Sequence, residues 1–142
     1  MSDGKFPKVR IVSSVSAHKK ILDRTITHNK SKLIQYFGNG SMFGEVISED
    51  YEKKYYIPQR MKRGIKVELL IPRTQMLEDY QDKDKEENRE TRVLDIKMEN
   101  CGFTVYDDTV IIYIYKKKLF AIEIISSTAL ANTIRNILKY FW

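Results

Sequence analysis

Four short apolar runs follow one another in quick succession at 92–96, 102–106, 109–115 and 119–125. Their β-branched and aromatic residues, broken by turn residues, read as strands. The second and third runs are joined by Asp107-Asp108, residue types that favour a tight turn. The third and fourth flank Lys116-Lys117-Lys118, a hairpin turn whose charges discourage stray pairing at a sheet edge. Ser127 or Thr128 then caps a final helix, where Leu130, Ile134, Ile137, Leu138 and Phe141 recur at helical spacing. That stripe is expected to lie on the sheet, with the helix ending at Trp142.

The preceding 90 residues alternate between strand and helix. Positions 8–13 alternate apolar and polar side chains, the pattern of a half-buried strand. Ser14 or Ser16 caps the next helix, which buries Val15, Ile21, Leu22 and Ile26 and ends near Asn29. A second strand at 32–37 closes on Gly38-Asn39-Gly40, where glycine and asparagine accept positive φ. Ser48-Glu49-Asp50-Tyr51 is an acidic helix start. Tyr51, Tyr55 and Met61 suit its buried side. Pro58 has no amide hydrogen for the Lys54 carbonyl, so either the helix kinks there or a new segment begins. Gly64 ends this region, 65–71 is a third strand stopped by Pro72, and Thr74 caps a short helix through Tyr80. Positions 81–90 mix both charges without an apolar side, as in a mobile loop or a frayed helix end.

A chain of 142 residues with 42% hydrophobic content is expected to form one domain over 1–142, burying roughly 68–70% of its extended surface. The net charge of +6 favours anionic partners, although 31% charged residues also describe an ordinary solvated surface. Cys101 is the single cysteine, so no internal disulfide forms, which fits a reducing compartment. Met1-Ser2-Asp3-Gly4-Lys5 lacks an apolar leader. The apolar run 110–115 is far shorter than the ~20 residues a membrane span needs. The expectation is a cytoplasmic protein with no membrane partner.

Cofactor chemistry has little support. Two histidines and one cysteine, far apart, make no zinc spacing, so no metal site is expected. Asp107-Asp108 reads as a turn before it reads as a cation site. No Gly-Lys-Ser/Thr follows Gly38-Asn39-Gly40, which excludes a P-loop. Ser126-Ser127-Thr128 could hold an anion at a helix N-terminus, but capping explains it. Glu123 lies among Ile122, Ile124 and Ile125. If buried it needs a partner; the plainer expectations are a lysine or an exposed sheet surface.

The hairpin around Asp107-Asp108 resembles one in phosphodiesterases of the phospholipase D type. There it carries a His, a Lys two places on and an Asp five places further. Here Asn100 and Cys101 stand at the His positions, Gly102 and Phe103 at the Lys positions. Neither an amide nor a thiol there replaces the imidazole that attacks phosphorus. Elsewhere His18 precedes Lys20 but then Thr25, and His28 precedes Lys30 but then Gln35. Both histidines read as surface helix and loop residues.

Further segments resemble, in order, the effector domain of TrmB-like transcriptional regulators. They are Phe6-Pro7-Lys8-Val9-Arg10, Tyr56-Ile57-Pro58-Gln59-Arg60 on to Pro72, Arg92-Val93-Leu94, Val105-Tyr106-Asp107-Asp108-Thr109-Val110, Ala121-Ile122-Glu123-Ile124 and Thr133-Ile134-Arg135 with Phe141-Trp142. The resemblance implies an α/β fold: a mixed β-sheet sandwiched by helices, half of a phospholipase D-like fold, without the catalytic residues. It implies a non-catalytic regulatory domain that forms homodimers and senses a small effector, sugar-like in some members. Because the matched segments run from Phe6 to Trp142, a winged helix and an extra sugar-binding domain are expected to be lacking. A partner regulator would then supply DNA reading.

Two alternatives come from other classes. One is a working phosphodiesterase or nuclease. The other is a nucleic-acid-binding accessory protein using Lys53, Lys54, Arg60, Lys62, Arg63 and Lys66 on phosphate, with Tyr51, Tyr55 and Tyr56 near enough to stack on bases. Glu49, Asp50 and Glu52 dilute that basic group.

Overall fold

The computed structural model describes residues 6–142; Met1 to Lys5, read above for the lack of an apolar leader, lie outside the described residues. The strands are β1 (Lys8–Val12), β2 (Leu33–Gly38), β3 (Lys66–Ile71), β4 (Arg89–Val93), β5 (Cys101–Tyr106), β6 (Thr109–Lys116) and β7 (Lys118–Ile125). They form one mixed sheet in the order β1-β7-β6-β5-β2-β3-β4. Helical crossovers make β2, β3 and β4 parallel. Tight turns make β5, β6 and β7 antiparallel, with Asp107 (φ 49°) and Lys117 (φ 65°) in the left-handed region of those turns. β2 and β5 join the two halves in antiparallel register, with Tyr36 opposite Thr104 and Gly38 opposite Gly102.

Side chains alternate across the sheet, so each face has its own core. On the first face lie α1 (Val15–Thr27), a helical stretch from Glu49 to Lys62, and α4 (Gln75–Lys83). They enclose Ile21, Ile26, Ile34, Val67, Ile71, Leu77, Ile111 and Tyr113. On the second face α5 (Thr128–Phe141) alone sets Ala131, Ile134 and Leu138 against Leu70, Leu94, Val105 and Val110.

Helix ends follow their backbone angles. Ser14 (ψ 154°) and Ser48 (ψ 153°) are extended, and their hydroxyls accept from Ala17 N and Tyr51 N. The cap expected at Ser127 or Thr128 does not form. Ser127 sits at ψ 77°, its amide donates to the Asp108 carbonyl, and its hydroxyl makes no cap bond. Thr74 likewise makes no side-chain cap. Of Gly38-Asn39-Gly40, Gly38 (φ 131°) has positive φ, whereas Gly40 is at −96°.

The stretch 49–62 departs most from the sequence reading. It consists of α2 (Glu49–Tyr51), a π-helical turn at Glu52–Tyr56 and α3 (Ile57–Lys62). Pro58 lies in the first turn of α3. The widened turn absorbs the carbonyl that proline leaves unanswered, and it rotates the helix face. Arg60 is fully buried and Tyr56 half-buried, while Tyr55 and Met61, expected inside, are exposed. Tyr51 is half-buried. At the C-terminus Ile65 N donates to Arg60 O and Gly64 N (φ 69°) to Met61 O, a Schellman motif.

Positions 81–90, expected as a mobile loop or a frayed helix end, divide between the last turn of α4, a turn, and the start of β4. Asp84 organises them: it accepts from Arg89 Nε at 2.8 Å, Thr91 N at 2.7 Å and Thr91 Oγ1 at 2.8 Å.

β1 was expected to be half-buried. It is an edge strand, and only Val12 packs into the first core. Val9 and Ile11 are 60% and 68% exposed, and the register continues them into Ile124 and Ile122 and then into Val110 and Ile112. Ile114 (41%), Ile137 (42%) and Phe141 (42%) are also exposed. α5 therefore covers only part of the second face. At ~170 Å² for each fully exposed side chain, these five present on the order of 400 Å², the scale at which an apolar patch marks an interaction site.

Candidate functional site

The chemistry expected of the hairpin depends on the start of β5. In the frame set by Asp107, Gly102 takes the lysine position and points to the first face, paired with Tyr113 and Gly38. The ring of Tyr36 fills the space a side chain would need: a Cβ on Gly102 would meet Tyr36 Oη at 2.1 Å and Cζ at 2.7 Å. Tyr36 is held there, because its hydroxyl donates to Asn39 O at 2.6 Å. Asn39 Nδ2 donates to Asn100 Oδ1 at 2.9 Å, and Asn39 Oδ1 accepts from Ser41 N and Ser41 Oγ. The histidine position thus carries one amide clasped by another. In the frame set by Asp108, Cys101 and Phe103 point to the opposite face, beside Ile114 and Ile112, with Phe103 stacked on Phe37 at 4.7 Å.

The acids stand at the other end of β5. Asp107 accepts from Lys30 N at 2.9 Å and Ser31 N at 3.0 Å, and its carbonyl accepts from Arg135. Burial pushes its carboxyl up, but the two amides outweigh this and hold it below the usual carboxylate range. Asp107 clamps the α1–β2 connection, in keeping with the turn reading.

His18 is not the surface residue expected. It is buried on the inner side of α1 and donates from Nε2 to Leu119 O at 2.8 Å, because a carbonyl can only accept. The apolar stripe of α1 simply includes position 18, in step with Ile21, Thr25 and Ile26. His28 is exposed and pairs with the Thr27 hydroxyl. Glu123 is also not on an exposed sheet surface, nor paired with lysine. It is fully buried and held by Arg24 through two bonds, Nε to Oε2 at 3.0 Å and Nη2 to Oε1 at 2.6 Å. That bidentate bond raises the Arg24 pKa against the cost of burial. Among the described residues, no group of three or more His, Cys, Asp or Glu is poised for a metal ion.

The basic group does not gather on one surface. Arg60 faces inward and donates to the carbonyls of Ile65, Asn88 and Glu87 at 2.7, 3.1 and 2.5 Å, so it is a brace between loops and is corrected as a phosphate ligand. Lys53 pairs with Glu49, Lys54 with Asp50 and Lys66 with Glu68. Arg63 donates to Gln59, and Lys62 is exposed.

A deep concavity lies on the first face. A cavity of about 760 Å³ opens between the sheet, the 49–62 stretch and α4. Its sheet wall carries Tyr36, Leu69 and Tyr113; its helical walls carry Phe43, Tyr56, Met76 and Tyr80. Phe43 sits edge-on to Tyr113 at 4.7 Å and to Tyr36 at 5.6 Å. Tyr56 donates to Thr25 Oγ1, whose own proton goes to Leu22 O. Burial pushes Tyr56 and Tyr80 up to about 12. Glu52, at the π turn, also lines this cavity, and burial raises its carboxyl. A shallower hollow of about 680 Å³ lies beside the hairpin turn, against Arg24, His28, Lys30 and Thr128. Tyr36, Glu52 and Arg24 had no motif to flag them. Pro58 was the one available sign, since a proline inside a helical pattern often marks a widened turn.

No family model and no curated protein matches this sequence. Solved structures do. One is TrmBL2, described as an archaeal chromatin protein with a novel mode of DNA binding: 15% identity, all of this chain, 54% of that one, TM-score 0.63. The chain thus spans about half the length of TrmBL2. Another is Nuc, a phospholipase D family member from Salmonella typhimurium: 15% identity, 96% of this chain, 95% of that one, TM-score 0.71. At such identities the likeness concerns architecture alone. No described helix is long and apolar enough to cross a membrane. The chain has a phospholipase D-like α/β fold, a seven-stranded mixed sheet between helices.

Proposed function

We propose that this chain is a non-catalytic regulatory domain on a phospholipase D-like scaffold, acting by self-association and by taking a small effector into the aromatic cavity. The carrying observation is the occupation of the lysine position by Tyr36, anchored through Asn39 to Asn100. A phosphodiesterase of this type needs an imidazole nucleophile and an ammonium there. This chain supplies an amide and a tyrosine ring, and His18 is committed to Leu119 O. The resemblance to TrmB-like regulators supports the regulatory role.

Self-association rests on the uncovered second face. With the half-buried Phe103, Phe120, Ile122 and Ile124 added, its exposed apolar area reaches on the order of 600 Å², the lower end of the roughly 600–1,000 Å² per partner of a stable interface. A second copy is the occupant chosen, because the patch is largely apolar and so is complementary to itself, with Lys116 and Lys118 at one end of it. DNA contact, as TrmBL2's description reports for that protein, has less support here, since the basic group is braced or paired.

The test combines a chromogenic phosphodiester with sedimentation equilibrium. Turnover at the buffer rate and a dimer at micromolar concentration are expected, with Ile11→Glu and Ile114→Lys giving monomers of unchanged circular dichroism. Turnover abolished by His28→Ala or His18→Gln refutes the non-catalytic reading. A monomeric wild type refutes self-association.

A further inference from the structure

We propose that the cavity under the 49–62 stretch takes a small hydrophobic organic cation, with Glu52 as its counter-ion and Tyr56 and Tyr80 as its aromatic walls. The assignment rests on the reading of that cavity as an effector site and names the ligand's chemistry.

Three observations carry it. The first is the aromatic content of the walls. Ring faces attract a cation electrostatically, most strongly where water is excluded. The second is the fate of the charges. The cavity is lined by Glu49, Glu52, Asp79, Asp82 and Glu87 against Lys53, Lys83, Arg60 and Arg89. Both guanidinium groups are already engaged. Arg60 donates to three backbone carbonyls. Arg89 lies over the Tyr80 ring at 4.5 Å and donates to Asp84, Glu87 and the Tyr80 carbonyl. Glu49 takes Lys53 at 2.5 Å. Glu52 is different: among the described residues, no group donates to its carboxylate, and no ion pair within 4.0 Å holds it. Glu52 is half-buried, so its carboxylate is partly stripped of water while Arg89 and Lys53 act on it through their charge without bonding it, which leaves it a ready counter-ion. The third observation is the π turn. Glu52 and Tyr56, four residues apart on one face, both line the cavity from that turn, and such turns often occur at functional sites.

Three probes of one shape test the assignment: 2-phenylethylammonium, neutral 2-phenylethanol and anionic phenylacetate. Each is titrated into the full chain at neutral pH while the ring protons of Tyr56 and Tyr80 are followed by NMR. The ammonium is expected to bind about ten-fold tighter than the alcohol, and phenylacetate not at all. Glu52→Gln, close in shape, should bring the ammonium and the alcohol to within about two-fold of each other. Glu78→Gln, on α4 outside the cavity lining, should leave the preference in place. Equal binding of ammonium and alcohol to the wild type, preference for phenylacetate, or an unchanged ammonium affinity in Glu52→Gln overturns the cation assignment and leaves the effector site standing. If none of the three moves either tyrosine, the effector site falls as well.

Discussion

Replacing Gly102 by alanine should be costly for one identifiable reason, and that reason can be removed. The new Cβ would lie 2.1 Å from Tyr36 Oη, 2.7 Å from Cζ and 2.9 Å from Cε2. Carbon contacts are comfortable at about 3.5–4.0 Å, so the phenol must retreat by more than ~1 Å. It is not a loose end, because Tyr36 is buried and its hydroxyl donates to Asn39 O at 2.6 Å. Overpacking a core position costs about 1–3 kcal/mol, and a lost buried hydrogen bond about 1–3 kcal/mol more. Against these stands the gain from replacing glycine in a strand, roughly 0.5–1 kcal/mol. The net expectation is a loss of about 3 kcal/mol. In a Tyr36→Leu background the clashing atoms are absent. There Gly102→Ala should be neutral, or stabilising by up to ~1 kcal/mol. Urea unfolding followed by far-UV circular dichroism, on the four proteins of this cycle, measures the coupling. If Gly102→Ala costs the same with and without the tyrosine ring, Tyr36 is not what keeps a side chain out of the lysine position.

Two further outcomes follow from the buried charges. Arg24→Met leaves the fully buried Glu123 without its partner and should cost about 3 kcal/mol, whereas Arg24→Met with Glu123→Leu should recover most of that loss; a coupling below ~1 kcal/mol in the same unfolding assay would mean that the pair is not specifically held. Asp107 has a folded-state pKa below its ordinary value of about 3.9. The unfolded state therefore binds the proton first, so this group's contribution is present above about pH 4 and is lost as pH falls through the folded pKa. Asp107→Asn should flatten the acid limb of stability against pH in that window, and an unchanged limb would refute the clamp on Lys30 and Ser31.

The sequence was legible where local chemistry decides structure. Six of the seven strands, with α1 and α5, fall near their expected places, because turn residues and apolar spacing act within a few residues; β4, expected at 92–96, runs Arg89–Val93 instead. Gly64 ended its helix by the expected left-handed geometry. Failures arose where tertiary packing rephased a correct element. The helical spacing of Tyr51, Tyr55 and Met61 assumed 3.6 residues per turn throughout, and one π turn moved the inner face to Tyr56 and Arg60. Arg60 read as a phosphate ligand because its charge is visible in sequence while its three carbonyl acceptors, at 65, 87 and 88, are not. His18 and Glu123 were misplaced for the same reason: their partners Leu119 and Arg24 are about a hundred residues away. The site was legible only as missing side chains at 100 and 102. What replaced them, Tyr36 and Asn39, could not be found without the antiparallel pairing of β2 with β5.

That pairing explains why the start of β5 is more than a site with two letters changed. Gly38 and Gly102 face each other across the strands, and a Cβ on Gly38 would lie 2.5 Å from Gly102 Cα. The partner backbone approaches too closely there for a side chain on Gly38, while at Gly102 it is the Tyr36 ring that fills the space. Tyr36, two residues earlier on the same face of β2, uses the opening to lay its ring over Gly102, and its hydroxyl reaches Asn39. Asn39 in turn holds Asn100 and the first turn at Ser41. Introducing lysine at 102 would displace Tyr36 and remove its hydroxyl from Asn39 O, while Asn39 N stays bonded to Cys101 O and Asn39 Nδ2 to Asn100 Oδ1. The aromatic wall of the cavity, where Tyr36 meets Phe43, would go with that ring. The ring that occupies the lysine position therefore also lines the aromatic cavity, so a side chain at 102 and that wall compete for one space.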